Sequence, residues 1–335
     1  MGGPTPTVSW WLDHWLTTIA IRRVRPSTYA WYEAVIRLHL GPAIGHHRLD
    51  RLQPEHLEVM YRDLDMSGLA PATVLQVHRV LSRALKVAMQ RGRLVRNVAT
   101  LVDAPSLQHA EIYPLDIDEA RAVLEAAEGQ RNAARWSVAL ALGLRQGEAL
   151  GLPWDAVDLE DGVLTVRQAL QRQPNVGLVI VEPKSRAGRR SIALPIPLRD
   201  ALRVHQAEQE AERVRAANVY EDHGLVFCQE TGRPIDPSAD HRAWRALLAA
   251  AGVRPARLHD ARHTAATLLL TQGVPARVVM EILGHSQISL TLGTYSHVMP
   301  ELARQAADSM DQALWGPSTK VAPPVPLDLP RTPGA

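Results

Sequence analysis

Between Val8 and Ile21 the apolar residues Trp11, Leu12, Trp15, Leu16 and Ile19 recur at the three- and four-residue spacing of one helical face. Pro26-Ser27-Thr28 reads as the start of a second helix carrying Tyr29, Tyr32, Val35, Ile36 and His39, which GPAIG at 41–45 is expected to interrupt. A third helix is predicted after Pro54, with Leu57, Met60, Tyr61 and Leu64 inward, and a fourth from Pro71 to about Arg91, ending near Gly92. Short helices in this succession predict a small helical bundle over 7–104. Periodicity lapses in APSLQHAEIYPLD, where two prolines stop helix propagation, so 105–115 is the expected linker.

Beyond it, helices are predicted at about 116–128 and 131–144, and then the period changes. VLTVRQAL at 163–170, LVIVE at 178–182 and RSIALP at 190–195 alternate or run β-branched, with PNVG and KSRAG between them as turns. This pattern predicts a three-stranded antiparallel sheet. Helices resume at about 197–218, 238–251, 259–271, 275–283 and 300–314, which closes a second domain over 116–314. The fold class expected is therefore mainly α with a small antiparallel β-sheet. Residues 316–335 are rich in proline and lack periodicity, so a disordered tail is expected there.

Composition narrows the class. With 335 residues and 46% hydrophobic content the chain can bury two cores, and it contains no apolar run long enough to cross a membrane. Nothing at the N-terminus reads as a signal peptide. One cysteine, Cys228, excludes an internal disulfide and points to a reduced, cytoplasmic setting. Of the 37 basic residues only Lys86, Lys184 and Lys320 are lysines, as a coding bias toward arginine in a GC-rich genome would produce.

The net charge of +2 argues little, but its distribution argues more. No acidic residue lies between Asp65 and Asp103, an interval that holds Arg79, Arg83, Lys86, Arg91, Arg93 and Arg96. Helical spacing lines up Arg79, Arg83 and Lys86 on one face, as a phosphate backbone would require; a merely solvated basic face gives the same pattern.

Candidate chemistry sits in four places. Arg145 follows the helix break at Gly143, with Glu148 three residues on and able to bridge its guanidinium. Lys184 lies at the tip of a turn between strands. LHDARHTAATLL, from Leu258 to Leu269, presents His259, Arg262 and His263 from the first turns of a helix, where backbone N–H groups already favour an anion. LGHSQISLTLGTYSHV places His285 after a helix end and Tyr295 ten residues later. His259 and His263 have the spacing of two metal ligands on one face, yet the glutamate of an HExxH site is missing and Arg262 would repel the cation. No metal and no other cofactor is expected. A phosphodiester under attack becomes a pentacoordinate dianion, which two arginines with histidine and lysine donors stabilise more than the ground state.

Together LRQGEALGLPWDAVDL, EPKSRAGRRSIALP, LHDARHTAATLL and LGHSQISLTLGTYSHV resemble the tyrosine recombinases of the phage integrase family, in order and in spacing, over roughly residues 7–314. The resemblance implies a core-type DNA-binding bundle joined to an α+β catalytic domain, closing as a clamp on duplex DNA. It makes Arg145 the first phosphate-binding arginine, Lys184 the sheet-turn lysine, His259 and Arg262 the pair of an H-x-x-R motif, His285 a second histidine donor and Tyr295 the nucleophile. Tyr295 would form a 3′-phosphotyrosyl link and expel a 5′-hydroxyl, His259 accepting the phenolic proton and Lys184 donating to the leaving oxygen. Glu148 would orient Arg145, and His263 would support the helix. The resemblance also implies a tetramer on DNA with the 300–314 helix, striped by Leu302, Ala306, Met310 and Leu314, docked on a neighbouring protomer, and an excisionase or host accessory protein as a further partner. Ala261 stands where the family often has leucine, and Gly293 loosens the approach to Tyr295. The chain starts almost directly at the helical domain, so the separate arm-binding domain of many phage integrases is expected to be absent or cut away. A non-catalytic DNA-binding protein of the same fold, or a type IB topoisomerase, is the alternative; the full catalytic set disfavours the former and the integrase-like spacing the latter. The expected role is integration or excision of a mobile element, from an actinobacterial or other high-GC source.

Overall fold

The computed structural model describes residues 6–106, 113–173, 176–183 and 188–284, together with Arg304, Ala307, Asp308, Met310, Asp311, Gln312 and Leu314. The chain divides into two units, Met1–Glu111 with Gln171–Val179 and Ile112–Leu170 with Ile180–Ala335. The expected tail at 316–335 and most of the 105–115 linker lie outside the described residues, as do Leu302 and Ala306 of the 300–314 helix. The described positions of that segment are helical, and Met310 and Leu314 are exposed.

In the first unit Thr7 caps α1 (Val8–His14) by accepting from the Trp10 N–H, and the helical run continues through a π-helical stretch at Trp15–Ile19 and a 3-10 turn at Ala20–Arg22. Its predicted stripe of Trp11, Leu12, Trp15, Leu16 and Ile19 is buried. Proline, which needs no N–H partner in a first turn, opens α2 (Pro26–Val35), α4 (Pro54–Met66) and α5 (Pro71–Gln90). The core forms where α5 lays Val74, Val77, Leu81, Ala84, Leu85 and Ala88 against the α1 stripe, and the Trp11 indole donates to the Ala84 carbonyl at 3.0 Å.

One expectation fails here. GPAIG does not break the second helix: α2 passes through a π-helical stretch, Ile36–Leu40, directly into α3 (Gly41–Ile44). Pro42 lacks an N–H and its ring would strike the carbonyl four residues back in a regular α-helix. The wider turn, in which the Gly41 N–H reaches the Ile36 carbonyl, absorbs the proline without ending the helix.

The second unit is built around α7 (Ala133–Leu142), which is apolar on two faces because it separates two cores, its one charged side chain, Arg135, being buried as well. Ala134, Val138 and Leu142 face a core shared with Leu164, Ile192, Leu198, Leu202 and Phe227; Trp136, Ala139 and Leu140 face another shared with Val123 of α6 (Ile117–Ala127) and with Trp244 and Leu248 of α10 (Pro237–Ala250). Asp116 and Glu119 make a reciprocal capping box at the start of α6. The short α8 (Gln146–Leu150), the long α9 (Ile196–Ala216), α11 (Leu258–Thr271) and α12 (Ala276–Leu283) complete the helices described in full.

The expected single sheet is in fact two. β1 (Val157–Asp158), β2 (Val163–Val166) and β5 (Arg190–Ala193) form one antiparallel sheet in the order β1-β2-β5, while β3 (Ala169–Gln173) and β4 (Gly177–Val181) pair separately. The run at 163–170 bends because its polar centre is anchored elsewhere: Arg167 pairs with Asp155, and the Gln168 amide donates to the Gly151 carbonyl at 2.8 Å. Gly151 permits this approach, since a Cβ there would lie 2.4 Å from the Leu170 nitrogen. In the first sheet Val166 pairs with Arg190 and Leu164 with Ile192, so Arg190 shares the inward face of β5 with Ile192.

Candidate active site

The chemistry gathers where three helix ends meet. α7 stops at Gly143, whose φ of 61° is left-handed and whose missing side chain makes room for α12: a Cβ would lie 2.7 Å from Leu283 Cδ2. Two residues on, Arg145 is the N-cap of α8. Its backbone N–H donates to Glu148 Oε2 at 3.0 Å and its guanidinium Nη1 to Oε1 at 2.6 Å. The side chain of Arg145 is 42% exposed while that of Glu148 is 6% exposed, so the carboxylate anchors the arginine from below and leaves its charge at the surface.

Arg262 reaches the same place from α11. Almost fully buried, it donates from Nη1 to the Gly143 carbonyl at 2.8 Å and from Nη2 to the Leu283 carbonyl at 2.6 Å. Arg145 Nη2 donates to the adjoining Gly284 carbonyl at 3.3 Å. The two arginines therefore hold consecutive carbonyls of one turn, immediately before His285 in the chain.

His259 is exposed on the first turn of α11. Desolvation, then the nearby Arg262 and, more weakly, Arg145, hold its pKa below the ordinary histidine value. It is thus poised as a neutral acceptor. His263 packs edge-on to His259 with ring centroids 5.0 Å apart, and burial followed by the His259 charge lowers its pKa to about 4. The start of α11 is fixed by Arg257 and Asp260, whose backbone and side-chain groups cap each other. Lys184, His285 and Tyr295 lie outside the described residues.

Two supports escape a reading of the sequence. Arg190, on the inward face of β5, donates from Nη2 to Glu148 Oε2 at 2.9 Å, from Nη1 to Oε1 at 3.3 Å and to the Gly188 carbonyl at 3.2 Å, and from Nε to the Ile282 carbonyl at 2.5 Å. Beneath α8, Arg135 of α7 pairs with Asp240 of α10 at 2.9 Å, at 1% and 3% exposure. The Gln146 amide, next to Arg145, donates to the same Asp240 oxygen at 3.0 Å and to the Pro237 carbonyl at 2.8 Å.

In the first unit Arg79, Arg83 and Lys86 line one side of α5, away from its buried face. With Arg23, whose place in IRRVR gives no hint of a role, they border a cavity of about 480 Å³ floored by Trp15 and Ile19. Among the described residues no acidic side chain forms an ion pair with these three residues of α5. Arg91 and Arg93 are exposed just beyond its end.

Fold and site define a protein of two units in which fixed cations gather at one turn. The phage integrase family model matches residues 114–301, and the model of the phage integrase N-terminal SAM-like domain matches 7–64. An integrase of Saccharopolyspora erythraea is 38% identical, over 92% of this chain and 83% of its own length. A tyrosine recombinase XerC-like protein of Caldanaerobacter subterraneus subsp. tengcongensis is 29% identical, over 89% and 81%. Among solved structures, the Tn1549 transposon integrase in complex with transposon right end DNA superposes with a TM-score of 0.78 at 21% identity, over 91% of this chain and 99% of that one. A lambda integrase tetramer bound to a Holliday junction does so with 0.64 at 18%, over 87% and 77%. The chain belongs to the phage integrase family.

Proposed function

We propose that Arg145, His259 and Arg262, completed by Lys184, His285 and Tyr295, form the strand-exchange site of this chain, which is a tyrosine-type site-specific DNA recombinase. The observation that carries the residue assignment is the meeting of Arg145 and Arg262 on the Leu283–Gly284 turn. A charge that stays fixed at every physiological pH is thereby placed beside His259 and next in the chain to His285. The Tyr295 phenolic oxygen attacks the scissile phosphorus and its proton passes to His259. The bond from phosphorus to the 5′-oxygen breaks, and that oxygen takes a proton from Lys184. Phosphotyrosyl linkage conserves the bond, so a 5′-hydroxyl from a partner strand reverses the step without a nucleotide cofactor. Glu148 orients Arg145, and His263 backs His259.

The basic α5 face, Arg79, Arg83 and Lys86, with Arg91 and Arg93, tracks the phosphates of duplex DNA. Domain limits near 7–104 and 116–314 fit this division of labour. We assign the chain to integration or excision of a mobile element in the bacterial cytoplasm, acting as a tetramer at recombining sites. DNA complexes of the transposon and lambda integrases support the DNA partner, the lambda tetramer supports the assembly, and the Saccharopolyspora relative supports an actinobacterial source. Among the described residues no helix is long and apolar enough to cross a membrane.

A nicked suicide substrate carrying the cognate core site tests the assignment. Wild-type protein traps a covalent protein–DNA adduct; Tyr295→Phe binds the same DNA and forms none. An adduct that survives Tyr295→Phe overturns the choice of nucleophile.

A further inference from the structure

Arg145 has a carboxylate 2.6 Å from its guanidinium. Left to itself that pairing would leave no net charge for a phosphate to meet. Glu148, however, is shared. Its second oxygen is held by Arg190 at 2.9 Å, and both Arg190 and Glu148 are more than nine-tenths buried. Burial would raise the Glu148 pKa, but the Arg190 hydrogen bond and charge, followed by the charge of Arg145, bring it below the ordinary carboxylate value. Both oxygens of this carboxylate are thus shared between Arg190 and Arg145.

All three guanidinium nitrogens of Arg190 are engaged. They join Glu148 of α8, the Gly188 carbonyl on the approach to β5, and the Ile282 carbonyl at the end of α12. Two arginines and one carboxylate leave a net single positive charge, and Arg145 is its exposed member.

Resting on the site assignment above, we infer that Arg190 is a positioning residue that compensates the Glu148 charge, so that the group presents a net positive charge at Arg145 toward the scissile phosphate, while tying α8 to the end of α12. The sequence hides it. Arg189 and Arg190 sit side by side, but Arg189 is exposed and pairs with Glu182, whereas strand alternation turns Arg190 inward.

The test compares adduct formation on the nicked core-site substrate at saturating DNA, with DNA affinity and thermal unfolding measured in parallel. Arg190→Met, which keeps bulk and removes charge, is expected to slow adduct formation about 10²-fold, the scale of removing one electrostatic donor from the transition state. Arg190→Lys restores the charge without the planar fork and is expected within about tenfold of wild type. Adding Glu148→Gln to Arg190→Met removes the surplus negative charge and is expected to recover part of the rate, a suppression that a purely structural role would not give. Wild-type speed in Arg190→Met, or no recovery in the double variant, overturns the inference. Should Arg190→Met fail to fold, Arg190→Lys decides: a near-normal rate supports charge sharing, and a folded, DNA-binding but inactive protein refutes it. Tyr295→Phe alongside reads the nucleophile assignment separately, since the Arg190 comparison is made on whichever adduct the wild-type chain forms.

Discussion

Asp240→Asn isolates a charge in the middle of the second unit. Asn keeps the volume and an oxygen for the Gln146 amide, but Arg135 loses its only ionic partner among the described residues at 1% exposure. Arg135 Nε and Nη1 already have no hydrogen-bond partner, so nothing nearby takes over from the carboxylate. Removing one member of a buried pair costs about 3–5 kcal/mol, equivalent to roughly 150- to 5,000-fold in the folded-to-unfolded ratio. Arg135→Met should cost less, because a stranded carboxyl can take up a proton and become neutral whereas a guanidinium cannot. In Arg135→Met/Asp240→Asn neither charge remains, and stability should return to within about 2 kcal/mol of wild type. The assay is urea unfolding of the full chain, with hydrogen exchange of the α7 amides to assign the transition to this unit. An Asp240→Asn cost below about 1 kcal/mol, or a double variant as unstable as Asp240→Asn alone, would refute the reasoning.

Gly143→Ala should destabilise by about 2 kcal/mol, from a left-handed backbone and from displacement of Leu283, and should slow adduct formation as the turn held by both arginines moves; an unchanged urea midpoint would count against it. His263 has a folded pKa of about 4 against 6.5 unfolded, so as pH falls the unfolded chain binds the proton first. Its contribution is complete above about pH 6.5 and is eroded as pH falls toward 4, and His263→Gln should flatten that part of the stability–pH curve. Neutralising Arg79, Arg83 or Lys86 to Gln should lower the slope of log affinity against log salt by about 0.9 for each phosphate no longer neutralised, for any DNA sequence. Filter binding across a salt series reads this directly, and parallel lines for variant and wild type would remove the residue from the interface.

Periodicity sufficed for the helices because their faces are one-sided: the Trp11 to Ile19 stripe and the inward side of α5 are buried as the spacing predicts. It failed where backbone geometry answers to a distant partner. The bend at Arg167–Gln168 depends on Asp155 and the Gly151 carbonyl, and the helix through Pro42 depends on a π turn that no residue spells out. Arg145, Glu148, Arg262 and His259 were legible because the spacing of family motifs carries them, and their meeting was visible only once α12 brought its carbonyls between them. Arg190 and the Arg135–Asp240 pair were not legible, since neither the register that turns Arg190 inward nor the partner that α10 brings to Arg135 is written in the local pattern.

Because α7 is a common wall of two of the three hydrophobic clusters described in the second unit, melting of either would expose apolar surface of the other. Subglobal opening of that unit is thereby suppressed, and it should unfold in one cooperative step. The cation cluster at the C-terminal end of α7 is built partly on this wall, through the Gly143 carbonyl that Arg262 holds, so its preorganisation toward phosphate draws on the packing of the domain as well as on local contacts.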